Sequence, residues 1–406
     1  MFADSLLTVR GERSLFFGAD ARPRQRTGDE YGGGSGFMDL NNEESDFFFK
    51  GYLDIGQLRA GYAAGPREPR DLLEGFVEGY NRYLKDAGGK LPAACADAKW
   101  VRPMTLDDMV LVVAEKALHA SGQAFARDFV AAGRVPGASV SLAKRAPRKI
   151  DVSSLVAQLD QLNKQGFGSN ALAVGKDLSA NGRGLLLGNP HYPWTTTDRF
   201  YQAHLTVPGR YDAMGVIIGG IPAVVIGFNR DVAWSHTVTF AYHFTTFRLA
   251  LDPADASGTT YVYDGERRRM TSKTVHVDAL LPDGLIGRRS KTFYFSHQGA
   301  VISRPAAHGG NGNQEGTYGS LTMRSGLTAQ GYVGAHWGQS YIQTVAFDEQ
   351  GPVAQAMLTY GQSTDPRSPW YAEQTMVYSR KEWPSLPFMP EKIRADPHYT
   401  TVTLRE

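Results

Sequence analysis

The chain has 406 residues, 42% hydrophobic and 21% charged, with a formal net charge of +2. That apolar content supports a sizeable core and excludes a disordered chain, and so small a charge gives no electrostatic argument for nucleic acid as a partner. The length allows two or three domains, or one large enzyme. The lone cysteine, Cys95, excludes an intramolecular disulfide framework and any multi-cysteine zinc site.

The opening Met1-Phe2-Ala3-Asp4-Ser5 has no basic segment followed by an apolar one, so no signal peptide is expected. No window approaches about 18 uninterrupted apolar residues, so no membrane span is expected. Residues 1–40 are mixed and end in Tyr31-Gly32-Gly33-Gly34-Ser35-Gly36, which lacks the strand and lysine of a phosphate-binding loop and reads as a plain loop. Asp46-Phe47-Phe48-Phe49 reads as core or groove wall. Leu72, Leu73, Phe76, Tyr80, Tyr83 and Leu84 recur at helical spacing, which predicts an amphipathic helix over 70–86. Thr105 followed by Asp108 marks a second helix start, carried on by Met109 to Val113 and taking in His119. Leu155, Leu159 and Leu162 share one face of a third helix expected over 151–164.

After Gly166-Phe167-Gly168-Ser169-Asn170 the period changes from helical to two. Asn181-Gly182 lies between apolar runs, the strongest short hairpin signal. A strand opened by Ser169 would turn there, and the return strand Leu185 to His191 would bring His191 back beside it. Phe200 to Val207 alternates as a strand, Gly219-Gly220-Ile221-Pro222 and Asn229-Arg230-Asp231 read as turns, and 341–360 is again strand-like. Arg267-Arg268-Arg269 and Arg288-Arg289 read as solvated loops, because no aromatics interleave them as in a nucleic-acid surface. Gly309-Gly310-Asn311-Gly312-Asn313 reads as loop and 385–406 as an irregular tail.

Alone, Gly-Ser-Asn is a common turn. Its surroundings are more specific: Asn189-Pro190-His191, Gly227-Phe228-Asn229-Arg230, Ala233-Trp234-Ser235-His236-Thr237-Val238, Thr359-Tyr360-Gly361-Gln362-Ser363 and Leu386-Pro387-Phe388. With these words, and with Ser169, His191 and Val238 at matching spacing, the chain resembles the penicillin acylase family of N-terminal-nucleophile hydrolases. Within it the chain looks most like the acyl-homoserine-lactone and aculeacin-type acylases. The resemblance implies an α+β fold, an αββα sandwich with a mostly helical N-terminal part. It implies self-cleavage of one precursor at Gly168-Ser169 into an alpha-like part, 1–168, and a strand-rich beta-like part, 169–406. It implies hydrolysis of a small-molecule N-acyl compound carrying a fatty or aromatic acyl group, with periplasmic or secreted location. A ligand-binding remnant and a β-lactam acylase are the alternatives.

The chemistry suits these residues. A serine hydroxyl needs a base beside it. A free α-amine, with a pKa of about 7.7–8.0, is partly neutral at working pH and accepts the proton. The same hydroxyl attacks the Gly168 carbonyl to release that amine, and glycine leaves the approach open. There is no Gly-x-Ser-x-Gly elbow and no His-Glu-x-x-His motif to offer a rival centre. By resemblance His191 positions the hydroxyl or donates to the oxyanion, the Val238 N–H donates to the oxyanion, and Tyr192, Ile218, Ile221 and Val225 line the acyl pocket.

Departures from the family are equally legible. The opening Thr8-Val9-Arg10-Gly11-Glu12-Arg13 resembles a stretch internal in relatives, so an incomplete N-terminus is expected. The family's late Asn-Asp-Ser-like oxyanion stretch has no counterpart, since only Asn311 and Asn313 follow Val238. Residues 317–325 and 333–363 resemble distant parts of the family, which predicts an internal deletion near 325–332. No calcium site and no other cofactor is expected, because Ala241 and Tyr242 stand where some relatives place an acidic ligand.

Overall fold

The structure is a computed structural model describing residues 2–22, 40–119, 122–134, 168–191, 200–237, 245–302, 314–318, 341–358, 385–386, 388 and 390–396. The expected helix over 151–164 and the glycine-rich loops at 31–36 and 309–313 lie outside these residues. The helices are α1 (Phe2–Arg10), α2 (Arg13–Phe17), α3 (Asn42–Tyr52), α4 (Ile55–Ala64), α5 (Arg67–Ala87), α6 (Leu106–His119) and α7 (Ala126–Ala132). There follow β1 (Gly168–Val174), β2 (Leu185–His191), β3 (Phe200–Val207), β4 (Tyr211–Ile218), β5 (Ile226–Phe228) and β6 (Ala233–Trp234). Next are β7 (Thr245–Leu251), β8 (Thr260–Tyr263), β9 (Glu266–Arg269), β10 (Thr271–Leu280), β11 (Ile286–Ser296), β12 (Gly299–Val301) and β13 (Gln314–Tyr318). The last are β14 (Tyr341–Asp348), β15 (Gly351–Leu358), β16 (Ser385–Leu386) and a short α8 (Pro390–Ala395). Among the described residues the chain is thus mixed helix and sheet, mainly helical before Gly168 and mainly strand after it.

Contacts divide it into two compact units, residues 1–165 with 239–324, and residues 166–238 with 325–406. In the first unit the strands run β10-β11-β12-β13-β7-β8-β9. The helices bury Leu6, Phe47, Phe48, Phe49, Met109 and Phe129 against Val277 and Phe293 of that sheet. The expected amphipathic helix is α5, which lays Leu73, Phe76, Val77 and Tyr80 on this core. Asp46-Phe47-Phe48-Phe49 is core, as one of its two sequence readings held.

The helix ends are answered by side chains. Asn41 and Glu44 form a capping box at α3. Thr105 Oγ1 accepts from the Asp108 N–H at 3.2 Å, and Asp108 Oδ2 accepts from the Thr105 N–H at 2.7 Å, the start the sequence predicted for α6. Asp108 also takes a two-pronged contact from Arg10, at 2.7 Å to each oxygen. Asp46 is fully buried and accepts from the first two N–H groups of α2, Arg13 at 2.9 Å and Ser14 at 2.7 Å.

Two expectations are corrected. The arginine runs are strand, not loop: Arg267-Arg268-Arg269 lies in β9 and Arg288-Arg289 in β11. A run of like charges carries no period-two signal, and the strand is revealed by its cross-partners. Arg267 pairs with Asp252, Arg288 with Asp278 at 2.7 Å and Arg289 with Glu43 at 2.9 Å. Nor is 385–406 irregular throughout, since β16 and α8 fall within it. Phe388 is buried between them, which ties this stretch to the second unit's core.

Phe293 stacks on Phe129 with ring centroids 4.4 Å apart and planes 10° apart. Glycines make the room: a Cβ at Gly51 would lie 2.8 Å from the Phe293 ring, and one at Gly133 would lie 2.6 Å from it. Phe293→Ala should cost about 3–5 kcal/mol in urea unfolding and Gly51→Ala about 1–3 kcal/mol by overpacking. Near-neutral values for both would show that this contact does not organise the core. Burial pushes the Asp46 carboxyl up from 3.8 to about 6, opposed by the bonds from Ser14 and Arg13 and by Lys50. A raised acid binds its proton more tightly when folded, so its contribution to stability falls as pH rises from about 4 to about 6. Asp46→Asn should gain on the wild type across that window by up to about 3 kcal/mol. A stability difference between the two proteins that stays flat with pH would refute this.

Candidate active site

The site is built on one antiparallel ladder. β1 and β2 pair so that Val174 faces Leu185, Leu172 faces Leu187, Ser169 faces Pro190 and Gly168 faces His191. The pairing is what the Asn181-Gly182 signal predicted, with one difference. β1 ends at Val174, and a short 3-10 turn, Lys176–Leu178, intervenes before the reversal. The reversal itself is local chemistry. Gly182 adopts a φ of +67°, which favours glycine, and its N–H bonds Ser179 O at 3.2 Å. Asn181 Oδ1 accepts from the Arg183 N–H at 3.0 Å, while its amide donates to Phe347 O at 2.9 Å and anchors the loop to β14. Ser169 is half-buried at the start of β1.

On its other edge β2 pairs with β14, with Gly188 opposite Gln343. The sheet order is β1-β2-β14-β15-β16, and a second sheet runs β3-β4-β5-β6. Their facing side chains, including Phe200, Val216, Phe228, Val345 and Ala354, make the core of this unit. Gln343 is fully buried and reaches across, its amide donating to Trp234 O at 3.3 Å and Gly227 O at 3.5 Å. Gly188 permits the approach, because a Cβ there would lie 3.0 Å from Ser235 Oγ and 3.4 Å from Gln343 Cγ. The hairpin, β14 and the Trp234-Ser235 segment therefore meet at one point. Asn189 Oδ1 and Ser235 Oγ are buried there without a hydrogen-bond partner among the described residues.

Three of the four acyl-pocket candidates share the β4–β5 turn. Ile221 donates its N–H to Ile218 O at 3.0 Å, and Val225 donates to Val216 O at 2.9 Å. Ile218 and Val225 pack on this unit's core, and Ile218 lies opposite Phe200. The turn is tight because β4 and β5 touch at a glycine pair: a Cβ on Gly215 would lie 2.2 Å from Ile226 O, and one on Gly227 2.2 Å from Met214 O. The Asn229 side chain closes the next turn, accepting from the Asp231 and Val232 N–H groups at 2.9 and 2.7 Å. Tyr192 and Val238 lie outside the described residues, immediately beyond His191 and just past Ser235. Among the described residues no group of three or more His, Cys, Asp or Glu is placed to hold a metal, and no helix is long and apolar enough to cross a membrane.

Gln343 was not singled out from the sequence, although a signal existed. It shares a strand face with the fully buried Val345, and a polar residue on a core face requires partners. Gln343→Leu should strand two carbonyls at about 1–3 kcal/mol each, at the low end because the bonds are long. Gln343→Glu should be worse, since it turns a carboxylate toward two carbonyl oxygens. Urea midpoints equal to wild type for both variants would remove this tie from the account.

The chain matches the penicillin amidase family in two overlapping stretches, residues 2–333 and 309–395. It is 39% identical over 307 residues to the acyl-homoserine lactone acylase PvdQ of Pseudomonas syringae pv. tomato, covering 75% of this chain and 37% of that one. It is 36% identical over 311 residues to the aculeacin-A acylase of Actinoplanes utahensis, covering 75% of this chain and 36% of that one. The chain thus spans little more than a third of the length of the curated relatives it matches. A solved penicillin G acylase from Alcaligenes faecalis overlaps 46% of this chain and 35% of its own at 16% identity, and its TM-score of 0.32 carries no argument about fold. The extent of the family match, together with relatives close to two-fifths identical, identifies this chain as a member of the penicillin amidase family.

Proposed function

We propose that the protein to which this chain belongs is an amide hydrolase that removes a fatty or aromatic acyl group from a small N-acyl compound. Self-cleavage between Gly168 and Ser169 precedes activity. The Ser169 hydroxyl attacks the Gly168 carbonyl, the backbone nitrogen leaves, and water hydrolyses the resulting ester to a carboxylate on 1–168 and a free amine on 169–406. In turnover that amine is the base, Ser169 the nucleophile, and the Val238 N–H the oxyanion donor, with His191 positioning the hydroxyl or sharing the oxyanion. The observation that carries this reading is the register that sets Gly168 opposite His191, in a chain of this family. The turn shared by Ile218, Ile221 and Val225 supports an alkyl-accepting wall, to which the family resemblance adds Tyr192. The two facing sheets of the second unit are consistent with the ββ layers of an αββα sandwich. The names of the relatives, an acyl-homoserine lactone acylase and an aculeacin-A acylase, support an N-acyl substrate such as an acyl-homoserine lactone. A periplasmic or secreted setting belongs to the same proposal.

One observation favours a second reading. The family match breaks into two overlapping stretches, which supports the loss of a segment near 325–332 and with it the late asparagine donor. A chain lacking one oxyanion donor should turn over about 10²–10³ more slowly. A chain lacking part of the groove would bind the acyl compound without hydrolysing it.

Denaturing electrophoresis with mass spectrometry tests the first step. Folded wild-type protein should give fragments 1–168 and 169–406, the second beginning Ser-Asn-Ala, and Ser169→Ala should remain intact. A chromogenic acyl amide then separates the two readings. Product release, rising with acyl length until the pocket fills, supports the hydrolase. Binding without release supports the remnant, and an uncleaved, well-folded wild type rejects self-processing.

A further inference from the structure

A cavity of about 530 Å³ opens in the first unit, and none of its lining residues is among those discussed above as catalytic. Its apolar wall is formed by Val9, Leu53, Ile55 and Leu111. Five charged groups also reach it, and three of these are answered. Arg10 is held by Asp108. Glu12 is held by Arg102. Asp54 caps α4, accepting from the Gly56 and Gln57 N–H groups at 2.8 and 3.1 Å. The remaining two are lysines whose hydrogen bonds go only to backbone carbonyls among the described residues. Lys273 Nζ donates to Leu53 O at 2.8 Å, and Lys50 Nζ donates to His276 O at 3.1 Å.

These lysines are fixed in place by their surroundings. Gly11, at φ +63°, sits where a Cβ would lie 2.8 Å from Lys50 Cγ, so the lysine stem passes over a glycine turn. Burial lowers the Lys273 ammonium below its usual range, with Asp54 opposing. Neither ammonium forms a close ion pair among the described residues, and two such groups beside an apolar wall suit an anionic head with an apolar tail. Cavities of this size and mixed lining are typical of small-molecule sites.

We propose that this cavity binds an amphiphilic monoanion, a carboxylate carrying a short alkyl tail, with Lys50 and Lys273 holding the head group. Ser169 is not among the residues of this site. Titration calorimetry of the full chain at low ionic strength, with sodium octanoate as the probe, should show a saturable site that depends on the two lysines. Octylamine, with the same tail and opposite charge, should bind at least about tenfold more weakly. The double variant Lys50→Met/Lys273→Met should lose about tenfold or more in affinity, and Lys50→Arg/Lys273→Arg should keep most of it. A readout that does not depend on the variants folding is lysine acetylation followed by peptide mass spectrometry on the wild type. Octanoate should slow modification of Lys50 and Lys273 several-fold while leaving the exposed Lys176 unchanged. Absence of saturable binding, equal binding of octylamine, or octanoate binding that leaves both lysines unprotected overturns the proposal. The last result would assign the octanoate to another site, including the acyl pocket near Ser169.

Discussion

The β1–β2 ladder is the constraint on which the candidate site depends. A side-chain period of two means that a slip of one residue would turn every side chain of β1 to the other face. The register is held at both edges of β2. Gly182 and Asn181 close the loop on one side and Asn181 ties it to β14, while β14 pairs directly with β2 on the other. With that register fixed, Gly168-Ser169 stands across from His191-Pro190 whatever the surrounding loops do.

The second constraint is how closely backbones can approach. Gly188 lets Ser235 and Gln343 come up against β2, and the Gly215–Gly227 pair lets β4 and β5 touch. Gln343 then bonds the carbonyls of Gly227 and Trp234, so β14 is joined to the turn-bearing sheet through a buried amide rather than by apolar packing alone. The Trp234-Ser235 segment is the direct lead-in to Val238. Order in that segment therefore depends on a residue more than a hundred positions away in sequence.

The first unit uses charge differently. Its helices end on side chains that do two things at once. Asp46 of α3 caps α2 from within the core, and Asp108 both caps α6 and receives Arg10. Against that pattern of answered charges, Lys50 and Lys273 stand out, because among the described residues each donates only to a backbone carbonyl.

The sequence by itself determined the local elements and the family. Helical spacing in 70–86, the Thr105–Asp108 start, the Asn181-Gly182 reversal and the words around Ser169, His191 and Val238 are all short-range chemistry, so they can be read from neighbours in the chain. It misread Arg267-Arg268-Arg269 and Arg288-Arg289 as loops, because their partners Asp252, Asp278 and Glu43 are found only across the sheet or on another element. It passed over Gln343 for the same reason, since a glutamine in a strand shows nothing until the opposing carbonyls are placed. Only the tertiary structure decided that residues 239–324 join the helical unit while 325–406 return to the unit of Ser169. Long-range strand pairing and the burial of polar groups decide such matters, and neither leaves a periodic trace in the sequence.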